Sequence, residues 1–271
     1  MPEAPSPAGA RSAVVSREVL GMRVDALEGY DDAVDTIVAW ASKCSARTVG
    51  VATVNNVMES YDDDTFRRVM NGCDLVTPDG MPLVWALSLL GVAGATRVCG
   101  PQLTPLLLAR AEERGIAVGF YGGDEETLDA LRRVAAQRWP SLRVAYAHSP
   151  PFRSLTAEED AEIVGGIMGA GVQLLFVGLG CPKQERWMAE HADRLPIVTI
   201  GVGAAFDFLA GSKRQAPRVL QRIGLEWAFR LVSEPRRLWR RYLRQNPRFL
   251  ALFARQLLRE RRRGEQLDRP R

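Results

Sequence analysis

Short runs of Val, Ile, Leu and Phe recur along the chain, separated by longer stretches in which apolar residues return every third or fourth position. The runs are TVGVATV (48–54), DLVT (74–77), IAVGFYGG (116–123), LRVAYAH (142–148), VQLLFVGLG (172–180) and PIVTIGVG (196–203). Helical patterns cover 31–46, 62–72, 80–91, 101–114, 124–138, 156–170 and 183–194, with Asp124 and Thr156 at N-cap positions. Uninterrupted apolar strands alternating with helices predict a parallel sheet buried on both faces. The expected fold class is therefore α/β: a Rossmann-like open, mostly parallel sheet with helices on both faces. No internal repeat accompanies it.

After Gly211 the pattern becomes entirely helical. Asn246 and Pro247 read as an N-cap and first helical position, and the following helix places Leu250, Phe253 and Leu257 on one face and Arg248, Arg255, Arg259 and Arg262 on another. Upstream, Leu238, Trp239, Tyr242 and Leu243 sit among Arg236, Arg237, Arg240, Arg241 and Arg244. Aromatic rings beside guanidinium groups suit a helix lying on an anionic membrane surface; the other reading is a packing helix with a solvated basic face. The expected organisation is a disordered tail over 1–17, an α/β core over 18–211, and a helical, arginine-rich, membrane-associating appendage over 212–271.

One further segment has two readings. Seventeen uncharged residues, GMPLVWALSLLGVAGAT, lie between Asp79 and Arg97, close to the length of a membrane span. Pro82, Gly91 and Gly94 interrupt them and strands flank them, which favours a buried core helix; a greasy wall beside a lipid substrate is the alternative.

Composition narrows the class. With 271 residues, 46% hydrophobic and 25% charged, the chain can bury a large core, so wholesale disorder, a collagen repeat and a disulfide miniprotein are excluded. The prolines and Glu3 of the opening residues leave no apolar h-region, and a cytoplasmic protein is expected. Cys44, Cys73, Cys99 and Cys181 show no C-x-x-C spacing, and only His148 and His191 could join them; neither a metal site nor a cofactor is expected. The net charge of +4 conceals an uneven distribution. From Ser212 to Arg271, 18 Lys or Arg face 5 Asp or Glu, a net of +13, against −9 for the remainder. Phosphate, nucleic acid or anionic lipid could neutralise the basic quarter, but the mildly acidic bulk argues against a protein that binds nucleic acid over its whole surface. A homo-oligomer stays open.

Candidate chemistry collects at strand ends. Gly122 and Gly123, Gly178 and Gly180, and Gly201 and Gly203 close three strands, where backbone N–H groups can approach a diphosphate at the carboxyl edge of the sheet; close helix packing explains such glycines equally well. Lys183, Gln184 and Glu185 open a helix at the same edge and offer donors and acceptors to a sugar or a uracil, unless Glu185 merely complements the helix dipole. Asp79, in LVTPDGMP, is a carboxylate beside apolar walls, suited to take a proton from a hydroxyl, or else a turn former. Thr53, Asn55 and Asn56 end a strand as turn residues or sugar-hydroxyl binders. Asp62, Asp63 and Asp64 read as an N-cap with dipole-complementing acids rather than as metal ligands.

The blocks TVNN, DLVTPDGMPLVWA, VGLGCPKQERWM, IGVGAAFDFLAG and GLEWAFRLVSEPRRLWRRY, in this order over about residues 20–244, resemble the WecG/TagA/CpsF family of bacterial glycosyltransferases. The resemblance implies an inverting, metal-independent transferase. Such an enzyme moves N-acetylmannosamine, its uronic acid or a related hexose from a UDP-sugar donor to an undecaprenyl-diphosphate-linked acceptor for cell-surface polysaccharide or teichoic acid. It would sit peripherally on the inner face of the cell membrane. The resemblance also implies that Asp79 is the general base with Thr53 and Asn55 beside it, and that Gln184 is the motif glutamine. It implies that Arg230, Arg236 and Arg237 belong to an appendage that closes over the site and contacts the membrane. Asn56, Gly203, Asp207 and Arg214 complete the expected substrate-binding set. Where relatives often read K-R-A-P, this chain has Arg214, Gln215, Ala216 and Pro217, one cation fewer; its HSPPFRSL segment (148–155) also departs from the expected glycine-rich one. Two other classes stay open: a nucleotide-dependent oxidoreductase, which should carry a fuller glycine fingerprint, and a nucleic-acid binder acting through the basic tail.

Overall fold

The computed structural model describes residues 14–267. The tail expected over 1–17 lies outside the described residues as far as residue 13. Strand β1 (Ser16–Val19) begins inside that stretch and pairs antiparallel with β2 (Met22–Asp25). Leu20 and Gly21 join them, both at positive φ, as a two-residue hairpin turn whose twist matches its strands requires. Each strand has only four residues, with charges interleaved, too short an alternation to stand out in the sequence.

The main sheet is built from β3 (Arg47–Ala52), β4 (Leu75–Pro78), β5 (Val118–Gly122), β6 (Val144–His148), β7 (Leu174–Gly178) and β8 (Val198–Gly201). Their order is β4-β3-β8-β7-β5-β6, and every neighbouring pair is parallel. The register sets Ala52 beside Pro78, Gly50 beside Gly201 and Gly122 beside Gly178, so the carboxyl ends of five strands share one edge. Helices α1 (Tyr30–Ser42), α5 (Gly100–Arg114), α6 (Glu125–Arg138) and α9 (Ala205–Ala210) bring Ile37, Leu107, Leu128 and Phe206 against Val49, Phe120, Phe176 and Ile200 on one face. On the other face, α7 (Ala157–Gly169) and α8 (Lys183–His191) bring Ile167 and Met188 against Leu175 and Val177. Helices α2 (Val54–Asp62), α3 (Asp64–Gly72) and α4 (Met81–Leu89) form a third apolar cluster with the hairpin.

Three local expectations change. The run TVGVATV leaves the sheet at Ala52, because Thr53 caps a helix: its Oγ1 accepts the Asn55 N–H at 3.2 Å, and Asn56 Oδ1 accepts the Thr53 N–H at 3.0 Å. Side-chain capping overrides the β-branched pattern there. Asp63 caps α3 as expected, accepting from the Thr65 and Phe66 N–H groups, whereas Asp62 ends α2. The uncharged stretch after Asp79 folds as the nine-residue α4, and among the described residues no helix is long and apolar enough to cross a membrane. Leu83 and Leu87 enter the core while Trp85 and Leu89 stay 47% and 59% exposed, so α4 is a core helix along one side and an apolar surface along the other.

The appendage comprises α10 (Arg218–Arg222), α11 (Glu226–Ser233) and α12 (Pro235–Leu267). The expected helix start at Asn246–Pro247 is not observed; α12 runs through Pro247. Proline removes one backbone bond there, while contacts on both sides hold the helix straight through. Leu238, Phe249 and Phe253 are buried, Arg248 grips Asp62 through two nitrogens at 2.5 Å, and Gln256 accepts from the Leu20 N–H and donates to the Glu18 carbonyl. The face expected to meet a membrane through Leu250, Phe253 and Leu257 is therefore divided. Phe253 and Leu257 pack beneath the hairpin, and Leu250 is 64% exposed. An apolar stripe guarantees burial, not the identity of what buries it.

Candidate active site

The shared carboxyl edge of the sheet opens into a cavity of about 640 Å³, within the size range of small-ligand sites. Its floor comes from the ends of β3, β4, β7 and β8. Its roof is the appendage, through Gln221, Glu226, Trp227 and Arg230 before α12, then Arg241, Tyr242 and Phe249 on α12 itself.

Asp79 follows β4, and its N–H is held by the Ala52 carbonyl at 2.8 Å. Its carboxylate faces the cavity with 20% of the side chain exposed. Oδ1 accepts from Arg97 Nη2 at 3.2 Å, and Arg97 Nε donates to the Asp79 backbone oxygen; Oδ2 has no partner among the described residues. Burial pushes the carboxyl above its ordinary range, opposed by Arg97 and reinforced by Glu226. Arg97 itself, 13% exposed, also donates to Glu226 Oε2 at 2.5 Å and to Gln221 Oε1 at 3.2 Å. Sequence reading treated Arg97 only as the end of an uncharged stretch. Its role shows in three dimensions because its partners lie 18, 124 and 129 residues away.

Thr53, Asn55, Asn56, Gln184 and Glu185 also line the cavity and form a network. Thr53 Oγ1 donates to Asn56 Oδ1 at 2.8 Å, Asn56 Nδ2 donates to Glu185 Oε1 at 2.9 Å, and Gln184 Nε2 donates to the same oxygen at 3.0 Å. Asn55 Nδ2 reaches Cys181 Sγ. Gln184 Oε1 accepts the N–H groups of both Gly180 and Gly203, at 3.1 and 3.0 Å. Those two amides, expected to cradle a diphosphate, are thus already engaged by a side chain. Glu185 is fully buried, burial pushes its carboxyl up, and its Oε2 has no hydrogen-bond partner among the described residues.

The structure does not bring every expected residue to this cavity. Gly122 and Gly123 lie beyond it: a Cβ on Gly122 would stand 2.7 Å from the Gly178 backbone, and Gly123 faces Thr127 and Phe206. Close packing accounts for Gly122, and a positive φ of 76° accounts for Gly123. Lys183 is exposed outside the cavity, and Asp207 pairs with Lys213 at 2.7 Å. Arg214 lines a neighbouring cavity of about 360 Å³ that shares Phe208 and Arg230 with the first. Arg237 lies on α12, and its side chain is outside those described. Positive charge in the main cavity comes instead from Arg97, Arg230 and Arg241, against Asp79, Glu185 and Glu226. Arg241 Nε is buried without a partner among the described residues. Among the described residues no group of three or more His, Cys, Asp or Glu could hold a metal ion.

Chemically, the arrangement offers a half-buried carboxylate with one oxygen unengaged among the described residues, the Arg97 guanidinium beside it, those of Arg230 and Arg241 from the appendage, and an apolar rim from Trp85, Leu89 and Ile223. The family model described as Glycosyl transferase WecG/TagA/CpsF family matches residues 17–263. A curated relative from Bacillus spizizenii, N-acetylglucosaminyldiphosphoundecaprenol N-acetyl-beta-D-mannosaminyltransferase, is 28% identical over 186 residues, covering 68% of this chain and 70% of its own.

Proposed function

The chain belongs to the WecG/TagA/CpsF family of glycosyl transferases, and from that premise we propose that it transfers N-acetylmannosamine or a related hexose from a UDP-sugar to a sugar carried on undecaprenyl diphosphate. The name of the Bacillus relative supports the acceptor and the mannosamine-type donor.

In this reading Asp79 Oδ2 accepts the acceptor hydroxyl proton, and the oxygen attacks the anomeric carbon from the face opposite UDP. The bond to the UDP oxygen breaks, UDP leaves with the electron pair, and the anomeric configuration inverts. Arg230 and Arg241 meet the charge that grows on the leaving diphosphate, a role worth several kcal/mol in a closed site, while Arg97 stays on Asp79 and Glu226, and the transfer needs no metal ion. Thr53, Asn56, Gln184 and Glu185 hold the strand ends in register around the reacting groups; Asn55 points at Cys181 on the cavity wall.

Trp239, Leu243 and Leu250 are 45%, 62% and 64% exposed and fall on one helical face of α12. Trp85 and Leu89 on α4 and Ile223 and Trp227 in the appendage add exposed apolar surface around the cavity mouth. With Arg236, Arg240 and Arg244 exposed beside them, this rim suits a peripheral position on an anionic membrane, the inner face of the cell membrane, which would deliver the lipid-linked acceptor to the crevice.

One observation carries the proposal: the unengaged oxygen of a burial-raised carboxylate at the floor of the roofed cavity. UDP-N-acetylmannosamine and other UDP-hexosamines, incubated with undecaprenyl-diphosphate N-acetylglucosamine and chelator and read by mass, test it. Transfer should persist with chelator, and Asp79→Asn should lower kcat about 10²- to 10⁴-fold while donor binding persists. A kcat within a few-fold of the parent would remove Asp79 from the reaction.

A further inference from the structure

Arg97 divides its guanidinium between two carboxylates from different parts of the chain. Nη2 lies 2.5 Å from Glu226 Oε2 on α11 and 3.2 Å from Asp79 Oδ1 on the core, and Nη1 donates to Gln221 Oε1 on α10 at 3.2 Å. The appendage thus supplies two of the acceptors that hold this arginine, including the shorter of its two carboxylate contacts. Both come from the segment that roofs the cavity, so the roof and the grip on Asp79 share one side chain.

We propose that Glu226 is a positioning residue that sets the strength of the base: by sharing the Arg97 guanidinium, it loosens the arginine's hold on Asp79. The proposal rests on the reading of Asp79 as general base. Without the Glu226 carboxylate, Arg97 would answer to Asp79 alone, and a carboxylate held in an undivided ion pair is a weaker proton acceptor. With Glu226 in place the guanidinium charge is shared, and Asp79 keeps Oδ2 open to the cavity. The segment that roofs the cavity thus also tunes the base beneath it.

The charged and titratable groups around Asp79 come from three directions. Arg97 approaches from the loop before α5, with the Cys99 thiol behind it and Tyr30 bonded to that thiol at 3.1 Å; Glu226 and Arg230 approach from α11. Glu226 raises the Asp79 carboxyl while Arg97 and Arg230 lower it, so removing Glu226 shifts the balance downward.

The test uses the full chain labelled with ¹³C at aspartate carboxyls, with the Asp79 resonance identified by its loss in Asp79→Asn. In Glu226→Gln the Asp79 titration midpoint should move to lower pH, and Glu226→Asp, which keeps the charge, should return it toward the parent value. With UDP-N-acetylmannosamine and undecaprenyl-diphosphate N-acetylglucosamine, Glu226→Gln should lower kcat about 3- to 10-fold. The acid limb of its rate profile should lie at lower pH and donor KM should be little changed. An unmoved Asp79 midpoint in a folded Glu226→Gln protein overturns the proposal whatever the rate does. A raised acceptor KM with an unmoved acid limb also overturns it, leaving Glu226 with docking alone. If the midpoint moves as expected but Asp79→Asn keeps its turnover, the electrostatic coupling stands and the general-base reading falls.

Discussion

Gln184 ties three separate segments to one side chain. Its Oε1 holds the N–H groups of Gly180 after β7 and Gly203 after β8, and its Nε2 meets Glu185, which also accepts from Asn56 on α2. Gly201 makes room for it: a Cβ there would stand 2.9 Å from Gln184 Nε2. Gln184→Ala should therefore leave two partly buried amides unpaired and cost about 1–3 kcal/mol of unfolding free energy. Urea titration of parent and variant measures this, and a difference under about 0.5 kcal/mol would show that water replaces the side chain. Asp79 acts in the opposite sense. Burial raises its carboxyl above the ordinary value of 3.8, so the folded chain holds that proton more tightly than the unfolded one. Its share of stability is present at low pH and is lost as pH rises through the raised value, whereas catalysis by the carboxylate requires that same rise. The residue is thus spent on function rather than on stability.

At the scale of elements, α12 shows how one amphipathic pattern can serve two surfaces. Its 33 residues span about 50 Å, with Trp239, Leu243 and Leu250 exposed while Phe249 and Phe253 stack at 5.8 Å inside the cluster under the hairpin. Phe253→Ala should behave as a core deletion, costing about 3–5 kcal/mol and lowering the thermal midpoint. If it instead weakened vesicle binding without changing stability, Phe253 would belong to the membrane face after all. The periodicity of 250–257 was legible in the sequence. What was not legible was which apolar residues of the helix meet the core: Phe249 and Phe253 pack into the cluster under the hairpin, and Arg248 pairs with Asp62 across 186 residues at the edge of that contact. Pro247 misled because a proline marks a helix start only where the residues before it are not already helical, and here the helix begins at Pro235.

For the whole molecule, the appendage is part of both the site and the core. It roofs the cavity through Glu226, Arg230 and Arg241 and completes the apolar cluster beneath β1 and β2. A chain cut near Gly211 would lose both, so substitution tests membrane binding more cleanly than truncation. The double variant Trp239→Asp with Leu243→Asp, changed only at exposed positions, should keep its fold and lose about tenfold or more of its partition onto vesicles rich in phosphatidylglycerol. Undiminished flotation would assign membrane contact to some other surface.

The sequence by itself determined what depends on near neighbours and on period: six apolar strands, most of the helices between them though not α2 or α9, the Asp124 and Thr156 caps and an N-cap within the Asp62–Asp64 run, and the break in character after Gly211. It also carried the blocks that mark the family, and within them Asp79, Thr53, Asn55, Asn56, Gln184 and Glu185, which the fold gathers around one cavity. Tertiary structure alone decided which strand-end glycines face that cavity and which are packing contacts, that the Gly180 and Gly203 amides are taken by Gln184, and that Arg97 stands between Asp79 and the appendage. The reason is physical: hydrogen-bond direction and charge pairing act over a few ångströms in space, and the partners that settle them lie up to 129 residues apart along the chain.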